Sequence, residues 1–350
     1  MPTTTTNTSI LISGATGLVG SYLVRYLYQQ GYRNIRGMRR SGSDMSLVGS
    51  VGNDIEWVEG DILDPCFLEE AMQGISVVFH CAALVSFEAS QAPLLFRTNV
   101  EGTANMVNAA LDAEIDRFIH VSSVAAIGRS RNKQIISEDT LWERSPWLSN
   151  YAISKFQGEQ EVWRGEAEGL SVSILNPSII LGGGDWERGP SRFFPLIGKG
   201  WRFYPMGNSG FVDVRDVVHL LVQLMEQQIT GKRFIANAGH LTYREFFAEI
   251  AQQLGRRPPD IPVRPRMSGL AWRFSYLLTR LAGRRPFLTR ETARQAGRTY
   301  YYDNGRSREE LSFSYRPLAE TIRETAALYQ QYVQPSPTPR AFSLPFEPQA

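Results

Sequence analysis

Residues 14–20 read Gly-Ala-Thr-Gly-Leu-Val-Gly, between a β-branched run at 9–13 and a run at 18–30 whose apolar residues recur at helical spacing. A strand, a glycine turn and a helix in that order form the unit that cradles a dinucleotide. Gly14 permits the tight turn, Gly17 lets backbone approach a pyrophosphate, and Gly20 lets the helix pack closely on the strand. The helix start adds free N–H donors and the positive end of its dipole. Thr16, Leu18 and Val19 complete the cradle. The spacing is G-x-x-G-x-x-G, not G-x-G-x-x-G.

The same alternation continues through the first half. Strands are expected at 9–13, 34–38, 55–59, 76–80, 117–123 and 171–177, and helices at 18–30, 67–73, 94–113 and 151–168. Such alternation predicts an α/β fold, a Rossmann-type doubly wound parallel sheet. After about residue 178 the regularity fails: 182–200 is a glycine- and proline-rich loop with aromatics, while 211–227 returns to strand and helix. The expected division is a nucleotide-binding domain of 1–177 and 211–240, a smaller discontinuous substrate-binding cap of 178–210 and 241–333, and an irregular proline-rich tail of 334–350.

Composition narrows the function classes. Hydrophobic residues at 43% and charged residues at 21% are ordinary for a soluble globular chain, and no apolar run approaches the roughly 20 residues that cross a bilayer. The start, MPTTTTNTSI, lacks the features of a secretory signal, so a cytoplasmic protein is expected. Cys66 and Cys81 form no C-x-x-C, and His80, His120, His219 and His240 are scattered, so no metal site is expected. His80 and His120 each end a β-like run and read as hydrogen-bonded structural histidines. No nucleic-acid motif accompanies the charge.

Cofactor choice is read about 20 residues beyond the glycines, at the end of the second strand. There the sequence is IRGMRRSGSD, with Arg39 and Arg40 and no acid before Asp44. Two guanidiniums suit a 2′-phosphate. NADP(H) is favoured, with NAD(H) left open.

Tyr151 and Lys155 stand four apart in SNYAISKFQGE, on one face of the expected helix. Together with GATGLVG, GDILD (60–64), FHCAA (79–83), TNVEGT (98–103), HVSSVAAIG (120–128) and LNPS (175–178), they occur in an order that resembles the extended short-chain dehydrogenases/reductases, the NAD-dependent epimerase/dehydratase superfamily, over roughly 9–330. In pattern the chain is most similar to the dihydroflavonol-reductase and 3β-hydroxysteroid-dehydrogenase branch.

The resemblance implies roles. Tyr151 would exchange a proton with the substrate oxygen, with Lys155 and the oxidised nicotinamide drawing the phenol's pKa towards neutrality. Lys155 would also bond the nicotinamide ribose, and Asn99 would help hold it through water. Ser123, chosen over Ser122 because it immediately precedes VAAIG, would hydrogen-bond the substrate oxygen. Asp61 and Ile62 would lie by the adenine, Ala82 and Ala83 by the ribose, and Pro177 and Ser178 by the carboxamide.

Net redox chemistry on a ketone, aldehyde or alcohol of a fairly apolar small molecule is the favoured reaction. NPSIILGGGDW differs from the segment usual in sugar-nucleotide enzymes, Ser209–Gly210 replaces the arginine that commonly grips a diphosphate there, and SSVAAIG lacks the acid a dehydratase needs. An NAD-dependent nucleotide-sugar epimerase and a non-catalytic NADP sensor are the alternatives. Trp186, Phe193, Phe194, Trp201, Phe203 and Tyr204 read singly as cap core, with pocket lining as the other reading. From Arg256 to Arg308 there are thirteen arginines and three acids. Within that stretch 267–285 is amphipathic: a cap helix with solvated arginines is the plain reading, and peripheral contact with an anionic membrane or an anionic substrate tail the others. The resemblance also implies a homodimer formed through the helices of 94–113 and 151–168.

Overall fold

Seven parallel strands form the central sheet of the computed structural model, which describes residues 7–128, 135–145, 148–263, 297–333 and 341–346. In chain order they are β1 (Ile10–Ser13), β2 (Ile35–Arg39), β3 (Glu56–Glu59), β4 (Val77–His80), β5 (Arg117–Val121), β6 (Val172–Pro177) and β7 (Lys232–Ala236). Across the sheet they run β3-β2-β1-β4-β5-β6-β7. The order reverses between β1 and β4, which opens a crevice at the carboxyl ends of those two strands.

Both faces are covered, so strands such as β1, β4 and β6 are apolar throughout or nearly so. Side chains alternate between two cores. Ile10 and Ile12 pack towards α1 (Leu18–Gln29) and the helix Val214–Glu226, whereas Leu11, Val78 and Phe118 pack towards α2 (Pro65–Ala71), α4 (Gly102–Asp112) and α5 (Asn150–Ala167).

The helix expected over 94–113 has a different interior. It begins as α3 (Ala92–Phe96), widens into a π-helical turn at Arg97–Glu101, and tightens again into α4. The wide turn carries Asn99, whose carbonyl also accepts the Thr103 hydroxyl at 2.8 Å. A Cβ added to Gly158 of α5 would lie 2.3 Å from that carbonyl, so α5 meets the turn backbone to backbone. Such turns concentrate at functional sites.

Beyond β6 the chain is more ordered than the glycine-rich sequence suggests. Ile179–Leu181, Asn208–Asp213 and Gly239–Thr242 form a three-stranded sheet of their own. Asn208–Asp213, part of which the sequence assigned to the nucleotide-binding domain, thus pairs outside the seven-stranded sheet. Asp213 then caps the helix Val214–Glu226, which packs back on the main core. Trp186 and Phe194 are buried, with Trp186 edge-on to Phe194 and Tyr329, and Phe193 meets Phe246 and Phe247. These aromatics, with the partly buried Trp201 and Tyr204, are core, whereas Phe203 is exposed.

Within the tail, residues 341–346 have no regular secondary structure, yet Phe342 and Phe346 are buried against Tyr22 of α1. The amphipathic stretch 267–285 lies outside the described residues. Among the described residues no helix is long and apolar enough to cross a membrane.

Candidate active site at the carboxyl end of the sheet

Gly14 adopts a φ of +65°, and a Cβ there would lie 2.8 Å from the Ala82 backbone. The turns after β1 and β4 therefore touch at the crevice. Gly17 is the N-cap of α1 and supplies no side-chain acceptor, and the first turn holds no acid. The first N–H groups of α1 are left to an external acceptor. Thr16, Leu18 and Val19 are half-buried around them, and Gly20 is buried. This cradle fits the pyrophosphate of a dinucleotide.

The end of β2 is tied to the glycine turn by the Ala15 N–H, which donates to the Met38 carbonyl at 3.3 Å. Arg39 and Arg40 follow. Arg40 is exposed; Arg39 has its Nη2 3.5 Å from Glu59 Oε2 and its guanidinium 5.9 Å from the centre of the Trp57 ring. The linear sequence shows no acid beside these arginines, but the β2–β3 register sets Glu59 opposite Arg39. Asp61 Oδ1 accepts the Leu63 N–H at 3.0 Å, and Ile62 is buried beneath Gly102. Ala82 is partly buried and Ala83 exposed. Pro177 ends β6, and the Ser178 hydroxyl donates to the Ala236 carbonyl at 3.2 Å.

Helix α5 is capped by Ser149, which accepts the Ala152 N–H at 3.1 Å. The cap starts the helix just before Tyr151 and so sets Tyr151, Lys155 and Glu159 on one face. The Ser123 hydroxyl accepts the Ala125 N–H at 3.1 Å and lies near enough to the Tyr151 phenol to act on its pKa. Burial pushes that phenol above its usual 10, and Ser123 draws it partly back. The Lys155 ammonium donates to the Val121 carbonyl at 2.9 Å. Burial brings Lys155 down to about 8, with Glu159 and Cys81 acting against the fall. Phe87 meets Tyr151 edge-on, ring centres 5.5 Å apart.

The adjacent serines diverge. Ser123 faces Tyr151, while the Ser122 hydroxyl donates to Glu159 Oε2 at 2.7 Å. Glu159 is fully buried and was not singled out in the sequence, although its place four residues beyond Lys155 was a usable signal. The Asn99 carboxamide accepts the Leu84 N–H at 2.7 Å and donates to the Leu84 carbonyl at 2.9 Å and to Ser154 Oγ at 3.0 Å.

A second feature is a chain of hydrogen bonds through His80. The Ala82 N–H donates to Ser13 Oγ at 3.2 Å, Ser13 meets His80 Nδ1 at 2.7 Å, and His80 Nε2 meets Thr103 Oγ1 at 3.0 Å. Because Thr103 gives its proton to the Asn99 carbonyl, which can only accept, His80 Nε2 carries the hydrogen and Nδ1 accepts from Ser13. His80 is thus the hydrogen-bonded structural histidine expected. His120 is stacked on it at 5.1 Å but has no hydrogen-bond partner for either ring nitrogen among the described residues. Burial holds both imidazoles neutral. Among the described residues no group of three or more His, Cys, Asp or Glu side chains is placed to hold a metal ion.

The chain is similar to known proteins along most of its length. The profile of the NAD dependent epimerase/dehydratase family matches residues 10–239. "Sterol demethylase protein B" of Methylococcus capsulatus is 31% identical over 310 residues, spanning 86% of this chain and 92% of that protein. "Putative dihydroflavonol 4-reductase" of Synechocystis sp. is 29% identical over 331 residues, spanning 92% and 94% respectively. The crystal structure of gox2253 superposes with a TM-score of 0.79 at 29% identity, covering 93% of this chain and 99% of that one.

The neutral His80 makes stability depend on acid. Its pKa is pushed down to about 3 by burial, then by Lys155, against a usual 6.5. Between those values the unfolded chain holds a proton the folded one refuses, so stability falls as pH drops below 6.5. For this one group the loss from pH 7 to pH 5 is about 2 kcal/mol. Urea titrations of the wild type and His80→Gln should show the variant losing less over that interval; equal losses would remove His80 as a source.

Proposed function

The chain belongs to the NAD-dependent epimerase/dehydratase family, and from that premise we propose that it is an NADP(H)-dependent oxidoreductase interconverting a ketone or aldehyde and an alcohol on a fairly apolar small molecule. The observation that carries this reading is the placement of Tyr151 one helical turn from the buried Lys155 on α5, with the Lys155 ammonium on the Val121 carbonyl at the end of β5, two residues before Ser123.

The nicotinamide cofactor supplies or takes the hydride. In the reducing direction Tyr151 gives a proton to the substrate oxygen as the carbonyl carbon gains the hydride. Ser123 donates a hydrogen bond to the same oxygen while its charge grows. Lys155 bonds the nicotinamide ribose. With its pKa raised by burial, Tyr151 is protonated at neutral pH, the form that reduction requires. Solvent restores its proton after turnover. Gly14, Thr16, Gly17, Leu18, Val19 and Gly20 hold the pyrophosphate, Asp61 and Ile62 border the adenine, Ala82 and Ala83 the ribose, and Pro177 and Ser178 the carboxamide.

The apolar character of the substrate is supported by Phe87 against the phenol and by the names of the relatives, one a sterol demethylase protein and one a dihydroflavonol reductase. Residues 178–210 and 241–333 form the substrate cap in this reading, and two copies pair through the α4 and α5 region. The NADP(H) preference rests on Arg39 and Arg40. Glu59 beside Arg39 favours NAD(H) as a second reading, because a carboxylate suits a 2′-hydroxyl.

Tyr151→Phe should lower carbonyl reduction by about a hundredfold or more while leaving NADPH affinity nearly unchanged. Undiminished turnover would remove Tyr151 from the chemistry. Replacing Arg39 and Arg40 together by alanine should weaken NADPH about tenfold or more relative to NADH, the scale of a charged hydrogen bond. Parallel losses for the two cofactors would transfer the preference to NAD(H). Finally, protein denatured straight after purification should release little nicotinamide cofactor, as mass spectrometry can show. Near-stoichiometric NAD would mean a resident cofactor and would turn the reading to an epimerase.

A further inference from the structure

We propose that Glu159 is a positioning residue of this site, a buried carboxylate that fixes the Ser123 backbone and faces the Lys155 ammonium along one side of α5. The inference rests on reading Ser123, Tyr151 and Lys155 as the reacting set. Glu159 is 1% exposed and receives donors from three neighbouring strands or their ends. The Ser122 hydroxyl after β5 reaches Oε2 at 2.7 Å, Asn176 Nδ2 of β6 reaches Oε2 at 2.9 Å, and Arg233 Nη1 of β7 reaches Oε1 at 2.9 Å. All three partners donate and one is a guanidinium, so the group they enclose is the ionised carboxylate.

Two of these bonds bear on Ser123. Asn176 Nδ2 bridges Glu159 Oε2 and the Ser123 carbonyl, the latter at 3.0 Å. Ser122, on the other side, is held by Glu159 through its hydroxyl and by the Leu175 carbonyl, which accepts its N–H at 2.7 Å. Ser123 is therefore held at its own carbonyl and, through Ser122, on its other side, with its hydroxyl near the Tyr151 phenol.

The charge bears on Lys155, one helical turn away. The titratable groups facing Lys155 are His80 of β4, Cys81 just after it, His120 of β5, and Tyr151 and Glu159 of its own helix. Burial keeps both imidazoles neutral, raises the Tyr151 phenol and pushes the Cys81 thiol up to about 12, so only Glu159 carries charge near neutral pH. Arg233 balances it from the far side and is itself anchored by Nε on the Glu138 carbonyl at 2.8 Å. A glutamine could keep part of the packing, but it could not oppose the loss of the Lys155 proton.

Direct titration of Lys155 decides the matter without turnover. The chain has four lysines, at 133, 155, 199 and 232, so protein labelled with [ε-13C]lysine gives few NMR signals, and Lys155→Arg identifies the relevant one. In the wild type it should titrate near 8. In Glu159→Gln the midpoint should move about one to two pH units lower, the size expected of a nearby opposite charge. Ser122→Ala and Glu159→Asp keep the charge and should leave the midpoint near that of the wild type. An unmoved midpoint in Glu159→Gln overturns the proposal; should that variant fail to fold, a shift of more than about half a unit in either charge-keeping variant overturns it. Reduction of aromatic aldehydes with NADPH should fall about tenfold at pH 8 in Glu159→Gln and recover towards pH 6, which a merely structural defect would not do. Wild-type protein with no turnover on any carbonyl would overturn the proposed reaction instead, while the lysine titration still judges Glu159.

Discussion

The approach of the Gly14 backbone to Ala82 is the contact on which the remaining geometry depends. A Cβ at Gly14 would lie 2.8 Å from Ala82, and one at Gly20 would lie 2.2 Å from the Gly14 carbonyl. Only bare backbone lets the turn after β1 lie on the end of β4 with α1 directly behind it. From this contact the hydrogen bonds run in one direction, from Ala82 through Ser13, His80 and Thr103 to the Asn99 carbonyl. The Asn99 side chain continues to Ser154, whose hydroxyl donates to the Tyr151 carbonyl at 2.9 Å. The nucleotide turn and the helix bearing Tyr151 are thus joined by buried, mutually polarised bonds. Each end is placed relative to the other before any ligand arrives.

What the sequence made legible was local. The glycine turn, the apolar strands and the four-residue step from Tyr151 to Lys155 are written within a few neighbouring residues, and each is found in the expected element. What it hid depends on register or on packing between distant segments. Glu59 reaches Arg39 only because β2 and β3 pair as they do. The sequence sets Glu159 on the Lys155 face of α5, but only packing buries it while Glu161 stays partly exposed. The π-helical turn has no propensity signature, since what stabilises it is the set of bonds Asn99 makes with Leu84 and Ser154.

Burial acts on the two principal side chains with opposite results. It raises the phenol of Tyr151 and lowers the ammonium of Lys155, favouring the neutral form of each. A neutral phenol is a proton donor and suits reduction. A neutral amine would lose both a charge and a hydrogen-bond donor. The protein leaves the first shift opposed only by Ser123 and sets a buried carboxylate against the second. The acidification of Tyr151 expected from Lys155 together with the oxidised nicotinamide has burial of the phenol to work against.

The cap and the tail enter the same mechanical unit through the other face of α1. The Tyr22 hydroxyl donates to the Gly183 carbonyl at 2.9 Å and accepts the Phe342 N–H at 2.9 Å, so one phenol joins the nucleotide helix, the segment leading into the cap and the tail. Arg215 stacks on Phe342 at 4.0 Å and pairs with Asp213 and with Glu324 of the helix Leu318–Tyr332. Asp213 is fully buried and also accepts the Thr321 hydroxyl at 2.8 Å, which leaves no lone partner in a place where an unpaired charge would be costly. A Cβ at Gly184 would lie 3.1 Å from Leu18, in the first turn of α1. A displacement of the segment around Gly184 would therefore press on the first turn of α1, whose N–H groups face the crevice.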